Sequence, residues 1–267
     1  MTNKEILDNT IWSFSTLHMY ESCPYSFYCK KFDDTKIGIP NFYAECGSIC
    51  HEYIADIFSN KVTVEEVLDD WINTYEDKIC CDVKEDTKNK KYYEFIDYLS
   101  ALDMDIMNDY EILEIENRST WILGKYNMTG FIDMLIRHKE TGEIILIDHK
   151  SAGKFFKKDG TPLKNMLDSF NAYKKQMYLY CMPIKEKYGQ YPSKIVWNHF
   201  FSQDVTVIPF IEEELKETQK WAKSIIQKIY KDKKFIAHCF NDEKYKHNFI
   251  KCRTLCDYRE ECEYMIN

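Results

Sequence analysis

The chain has 267 residues, 45% of them hydrophobic, with only 8 Gly and 6 Pro, so it can bury a substantial core and leaves little room for long disordered linkers. No run of eighteen apolar residues occurs and the first eleven residues are polar, which argues against a membrane span or a secretory leader and sets the expectation of a soluble, cytoplasmic protein. The formal net charge of −8 excludes an anionic polymer held by overall charge; any phosphate binding must come from local patches such as Lys30–Lys31, Lys88–Lys91, Lys150 to Lys164 and Lys231–Lys234.

Taken in chain order, Ser13 and Ser15 precede Leu17, Met19 and Tyr20, an N-cap signal for a short helix that Pro24 interrupts and a second helical turn continues through Lys31. Cys23 sits at that break. From Tyr43 to Phe58, apolar residues recur at helical spacing around Gly47 and His51, and Val64–Thr74 and Tyr92–Asn108 read as amphipathic helices joined by a polar segment. The pattern then shifts to short runs rich in Ile, Leu and aromatics: Glu111–Ile115, Thr120–Tyr126, Met128–Arg137 and Glu143–Lys150, read as strands of an antiparallel meander. A Gly/Lys-rich loop leads to a helix over Leu167–Lys187, two more strands at Lys194–Phe201 and Val205–Phe210, and a helix over Glu212–Tyr230. The expected fold class is α/β (α+β), a small mixed sheet flanked by helices. We expect one domain over 1–267, with a helical insertion at about 52–110 and a cysteine-bearing tail at about 244–267.

The run Ile144-Ile145-Leu146-Ile147-Asp148-His149-Lys150 is an apolar strand ending in Asp-x-Lys, and side chains two apart on a strand share a face. Gly130-Phe131-Ile132-Asp133 places a second carboxylate on the preceding strand, where antiparallel pairing across the Thr141-Gly142 turn can bring it beside Asp148. Two carboxylates that meet oppose joint ionisation unless a cation joins them. A hard divalent ion such as Mg²⁺ accepts carboxylate oxygens and keeps positions for water and phosphate. Taken alone, Asp-x-Lys is more often a surface ion pair.

Eleven cysteines, an odd number, match a disulfide framework poorly, and Cys252-x3-Cys256-x5-Cys262 is a thiolate set whose spacing suits zinc or an iron–sulfur cluster. A fourth ligand is needed, with Cys23 and Cys29 as rivals. Cys46, Cys50, Cys80, Cys81, Cys181 and Cys239 read as buried small hydrophobes.

The ordered set Gly47-Ser48-Ile49-Cys50-His51, Gly130-x-x-Asp133, Asp148-x-Lys150 and Gln176-x-x-x-Tyr180, running from Ser13 to Cys262, resembles the RecB-like branch of the PD-(D/E)XK nucleases. The resemblance implies a restriction-endonuclease-like core and phosphodiester hydrolysis with Mg²⁺ or Mn²⁺. It implies that His51 and Asp133 are metal ligands, that Asp148 is the central metal-binding carboxylate, that Lys150 is the catalytic lysine and that the His149 carbonyl is a further ligand. Gln176 and Tyr180, one helical turn apart, would lie beside the active centre and the DNA. The acidic residue that precedes Gly-x-x-Asp in this family is Glu114 or Glu116, and the sequence does not choose.

Cluster-bearing relatives of the AddB type and of the CRISPR spacer-acquisition type are similar in placing one early cysteine before Pro-Tyr, which selects Cys23. Their late spacing is more often x2 then x5, so the x3 here departs from the pattern. A [4Fe-4S] cluster on Cys23, Cys252, Cys256 and Cys262 is thereby implied, with Zn²⁺ as the alternative. Cys23 and Cys252 are 229 positions apart (252 − 23), a closure that would contribute about 5 kcal/mol by chain entropy.

The resulting expectation is a deoxyribonuclease, acting as an exonuclease on single-stranded or free-ended DNA, since no helix-turn-helix or zinc finger is recognisable; no phosphate-loop motif for a helicase motor is present. The alternatives are a CRISPR-adaptation nuclease working with an integrase partner, and a non-catalytic DNA-binding protein that keeps the fold.

Overall fold

The computed structural model describes residues 2–265, which fall into two compact units. Of the described residues, the first comprises 2–41, 120–129 and 216–265, and the second 42–119 and 130–215.

In the first unit, Ser13 caps helix α2 (Phe14–Ser22) by accepting from the Thr16 N–H, and Pro24 occupies the opening of α3 (Pro24–Phe32), where a missing N–H costs nothing. Before them lies α1 (Asn3–Asp8), opened by a Thr2/Glu5 capping box. Trp12, 1% exposed, is anchored on the hairpin tip: its N–H donates to the Asn127 carbonyl at 2.8 Å and its carbonyl accepts from Thr129 at 2.7 Å. Most of α8 (Glu212–Lys231) belongs here and buries Ala222, Ile225, Ile226 and Ile229. After α8, Asp232 accepts the Tyr20 hydroxyl at 2.9 Å and the N–H groups of Lys234 and Phe235. The tail is laced to residues 38–41 by Ile39 N–H to the Asp257 carbonyl at 2.8 Å and by the Arg259 guanidinium on the carbonyls of Ile39 and Pro40.

The second unit holds a sheet in the order β1 (Tyr110–Leu123), β2 (Tyr126–His138), β3 (Ile144–Lys150), β4 (Lys194–His199) and β5 (Asp204–Pro209), with the turn of the β1–β2 hairpin in the first unit. β2 pairs with β3 antiparallel, β3 with β4 parallel and β4 with β5 antiparallel, so the sheet is mixed as expected. The parallel pair requires a crossover, and α7 (Leu167–Tyr188) supplies it. On the other side α4 (Phe42–Phe58), α5 (Val64–Lys78) and α6 (Glu85–Ala101) bury Phe42, Ile54, Trp71, Phe95 and Leu99 with Met134 and Ile136 of the sheet.

Two differences from the sequence reading have physical causes. The strands expected at 111–115 and 120–126 are one strand, β1, carrying Glu116 at φ +45°; that left-handed residue breaks the alternation that marks a continuous strand. Helix α6 starts at Glu85 rather than Tyr92 and stops at Ala101 rather than Asn108. Its first two turns are Glu, Asp, Thr, Lys and Asn, which carry no apolar period, while Glu85 and Asp86 favour a helix start electrostatically. No helix of the described residues is long and apolar enough to cross a membrane.

Candidate functional site

Every residue that the sequence reading placed in the acidic–lysine set lies in the second unit. The β2–β3 register pairs Met134 with Ile147, and one further step sets Asp133 beside Asp148. Asp133 Oδ2 accepts the backbone N–H of His149 at 2.8 Å, which fixes the carboxylate at the end of the ladder. Lys150 leaves β3 on the same face as Asp148, as period 2 requires, and its Nζ lies 2.8 Å from Asp148 Oδ2. The His149 side chain lies on the opposite face, buried, with Nδ1 3.0 Å from Asn198 Nδ2 and the ring stacked 6.0 Å from Phe58.

His51 comes from α4, with Nδ1 3.6 Å from Asp133 Oδ2. Gly47, one turn earlier, explains the close fit of α4: a Cβ there would lie 2.9 Å from Ser151 Oγ, directly after Lys150. Glu116 completes a third side. His51, Glu116 and Asp133 each offer a ligand atom, all within 4.8 Å of one another, an imidazole and two carboxylates suited to a divalent cation. They line a cavity of about 810 Å³ with Tyr43, Gly47 and Ser48.

The structure thus separates the two glutamates that the sequence left open. Glu114 is buried and spent: its Oε1 accepts Lys187 Nζ at 2.6 Å and the Tyr188 hydroxyl at 2.7 Å, and its Oε2 accepts Asn117 Nδ2 at 2.7 Å. Burial pushes its carboxyl upward, but these three donors hold it below the usual range. Glu116 has its carboxyl raised, first by burial and then by the charges of Asp148 and Glu52.

On the far side of the sheet, α7 presents Gln176 and Tyr180 one turn apart. Gln176 Oε1 accepts Lys150 Nζ at 3.2 Å, and Gln176 Nε2 donates to the Tyr180 hydroxyl at 3.1 Å. The glycine of Gly-x-x-Asp now has a reason: a Cβ on Gly130 would fall 2.3 Å from Tyr180 Cε1, so only glycine lets β2 and α7 meet.

Electrostatically the site is a set of ionisable groups largely withdrawn from solvent, with Glu116 at its exposed side. Burial pushes Asp133 and Asp148 each up to about 6, against the pull of Lys150. Burial lowers His51 to about 4, leaving a neutral imidazole with a free lone pair at neutral pH. Burial also works against the Lys150 ammonium, but Asp148, Tyr173 and Asp133 hold its pKa above the ordinary lysine range. A divalent cation held by His51, Glu116 and Asp133 would relieve the Asp133 and Glu116 carboxylates, so these three residues fit the metal that the sequence pattern implied, whereas Asp148 is turned to Lys150 and is not one of the three.

The thiols expected to bind a cluster gather in the first unit. Cys23, Cys252, Cys256 and Cys262 pack in one cluster around Tyr25, Cys29, Ala237, Cys239 and Tyr258. The approach of tail to Cys23 is fixed by His238, whose Nδ1 lies 3.1 Å from the Ser22 carbonyl. Burial raises the thiols of Cys252, Cys256 and Cys262, which a soft metal would reverse by holding thiolates. Lys251 is the cation beside Cys23, Cys252 and Cys256.

Two cysteines differ from expectation: just beyond α5, Cys80 is exposed and Cys81 half-buried rather than buried, whereas Cys239 is buried as expected and packs in the same cluster as the four thiols. Cys29 is buried in the same cluster. Several of the lysines that read as phosphate patches are paired with acids, Lys88 with Glu76, Lys91 with Glu94 and Lys154 with Asp204.

A family model described as the PD-(D/E)XK nuclease superfamily matches residues 11–263. No curated protein matches the sequence. Among solved structures, the chain is similar to a "Putative exonuclease" from Eubacterium rectale, with 13% identity, a TM-score of 0.50 and 93% of both chains covered. A second, SSO0001, has 14% identity and a TM-score of 0.34, covering 82% of this chain and 97% of that one.

Proposed function

Because the chain belongs to the PD-(D/E)XK nuclease superfamily, we propose that it is a Mg²⁺- or Mn²⁺-dependent deoxyribonuclease that hydrolyses phosphodiester bonds in single-stranded or free-ended DNA. The observation that carries this reading is the meeting of Asp133, Asp148 and Lys150 at the end of β2 and β3, with His51 and Glu116 closing the third side.

In this reading His51, Glu116, Asp133, Asp148 and the His149 carbonyl hold the metal. A divalent ion there supplies charge neutralisation on the scissile phosphate and an acidified water. Lys150 keeps its proton and offers a donor to the attacking water or to a phosphate oxygen, where negative charge develops. Gln176 fixes the Lys150 ammonium, and Tyr180 fixes Gln176. The neutral His51 ring donates its lone pair rather than competing as a cation.

Preference for single strands or ends rests on two features. The described residues contain no helix-turn-helix or zinc finger to read a duplex by its bases, and the net charge of −8 gives no broad field for wrapping one. The thiol set Cys23, Cys252, Cys256 and Cys262 is proposed to hold a [4Fe-4S] cluster as a structural staple of the first unit. In this chain's own residues the supporting facts are the shared packing of the four thiols and the neighbouring Lys251 charge, which would offset thiolates.

The test is digestion of end-labelled single- and double-stranded DNA with Mg²⁺ or Mn²⁺, with Asp148→Ala and Lys150→Ala as controls. Metal-dependent loss of label in wild type and not in the variants supports the assignment; equal degradation by all three proteins contradicts it. Iron and sulfide analysis with visible absorption separates a cluster from zinc, which would leave the protein colourless.

A further inference from the structure

Lys150 is held by more than its carboxylate and its glutamine. Its Nζ lies 4.2 Å from the centroid of the Tyr173 ring, inside the range in which a cation is attracted to a ring face. An ammonium has three donors; Asp148 Oδ2 at 2.8 Å and Gln176 Oε1 at 3.2 Å face two of them, and the ring attracts the charge itself, so one donor is left for water or phosphate. The side chain retains 13% exposure, so the contact is largely withdrawn from water, where such attraction is strongest.

The sequence places the ring there by helix geometry. Tyr173, Gln176 and Tyr180 stand at i, i+3 and i+7 of α7, a single stripe facing the end of β3. The ring is also backed. Phe155, 1% exposed, sits five residues after Lys150 and meets Tyr173 at 5.9 Å and 41°. Phe155 is in turn set edge-on against His199 at 4.5 Å and Trp197 at 5.7 Å. The Tyr173 face therefore has little freedom to turn away from the ammonium.

We propose that Tyr173 is a positioning residue for the reaction, its ring face holding the Lys150 ammonium in place as a partner that carries no charge of its own. The proposal rests on the reading of Lys150 as the catalytic lysine. Its physical content is a division of labour. Asp148 is claimed both by Lys150 and by the proposed metal, so it cannot alone fix the lysine. Gln176 and the Tyr173 ring are neutral, do not compete for the cation, and retain the ammonium whichever way the carboxylate is shared.

The experiment replaces Tyr173 with Phe, with 4-fluoro-, 3,5-difluoro- and 3,4,5-trifluorophenylalanine, and with Leu, and measures kcat and KM on an end-labelled single-stranded oligonucleotide at saturating Mn²⁺, beside thermal midpoints. Fluorine drains the ring face of negative potential while nearly preserving its shape. The proposal predicts Tyr173→Phe within about twofold of wild type, a stepwise fall in kcat with each fluorine at constant KM and midpoint, and a loss of roughly 10- to 30-fold for Tyr173→Leu. A flat kcat across the fluorinated series overturns it, whether or not the Leu variant folds, because the ring would then only fill space. Full activity in Lys150→Ala would instead remove the reading on which it rests, and the two failures are told apart by that control.

Discussion

The two units order their chemistry by opposite means. In the second, the site is the rim of a dense aromatic and aliphatic core, with Trp71, Phe95 and Phe200 fully buried beneath it, so the charged groups are held in place whether or not a ligand is bound. In the first, the tail collects thiols and tyrosines, Cys23, Tyr25, Cys29, Cys239, Cys252, Cys256, Tyr258 and Cys262, to whose packing the proposed cluster would add a closure of its own. A catalytic site needs preorganisation before its ligand arrives, whereas a staple site can derive its order from the ligand itself.

The sharpest way to break this contrast is to remove one thiol. Cys252→Ser should strip the proposed cluster and cost up to about 5 kcal/mol of chain-closure stability, read as a lower unfolding midpoint together with lost visible absorption and iron. An unchanged midpoint would make the thiols incidental. Next in size, Asp148→Ala should lower kcat by about 10²- to 10³-fold while leaving the iron content alone, which separates the two regions in a single protein preparation.

The Gly130→Ala variant tests the close approach of β2 and α7. With a Cβ 2.3 Å from Tyr180 Cε1, it should lose about 1–3 kcal/mol and displace Tyr180 from Gln176, lowering kcat. Wild-type stability and activity would show that the ring moves aside freely. The two glutamates form a matched pair of controls. Glu116→Gln should weaken Mn²⁺ binding by at least the 10- to 100-fold typical of a lost supporting partner at unchanged stability. Glu114→Gln, which leaves Lys187 and Tyr188 with a poorer acceptor, should cost about 1–3 kcal/mol at unchanged Mn²⁺ affinity.

The smallest expected effect is on pH dependence. Asp133 and Asp148 are raised by burial to about 6, so the folded chain holds their protons more tightly than the unfolded chain does. Their contribution to metal-free stability is fully present below the unfolded value near 4 and is lost as pH rises through about 6. His51, lowered by burial to about 4, works the other way: its contribution is present above about 6.5 and is lost as pH falls through about 4. With EDTA the denaturation midpoint should therefore decline between pH 4 and 6 from the carboxylates, and Mn²⁺ should restore it increasingly above pH 6. A Mn²⁺ effect that fades above pH 6 would reverse the sign and reject the buried-carboxylate account.

Much of the second unit was legible because its chemistry follows local periods. Asp148 and Lys150 share a face by strand alternation, Gln176 and Tyr180 by one helical turn, and Asp133 reaches Asp148 by pairing across a short turn. The choice of Glu116 over Glu114 was not legible: period 2 puts both on one face, and the φ of +45° at Glu116 parts them. Nor was Tyr173, whose proposed role depends on a cation 23 residues earlier in the chain (173 − 150). In the first unit the late cysteines were plain from spacing, but Cys239, 13 residues before Cys252 (252 − 239), reaches the cluster only through the path of the tail around His238.

The most direct measurement is Mn²⁺ binding at pH 7.5, followed by electron paramagnetic resonance, for wild type and for Glu116→Gln, Asp133→Asn and Asp148→Asn. The account predicts one tight site in the wild type, weakened in each variant. Wild-type protein that binds no Mn²⁺, or variants that bind it as tightly as wild type, would contradict the convergence of these carboxylates on one cation.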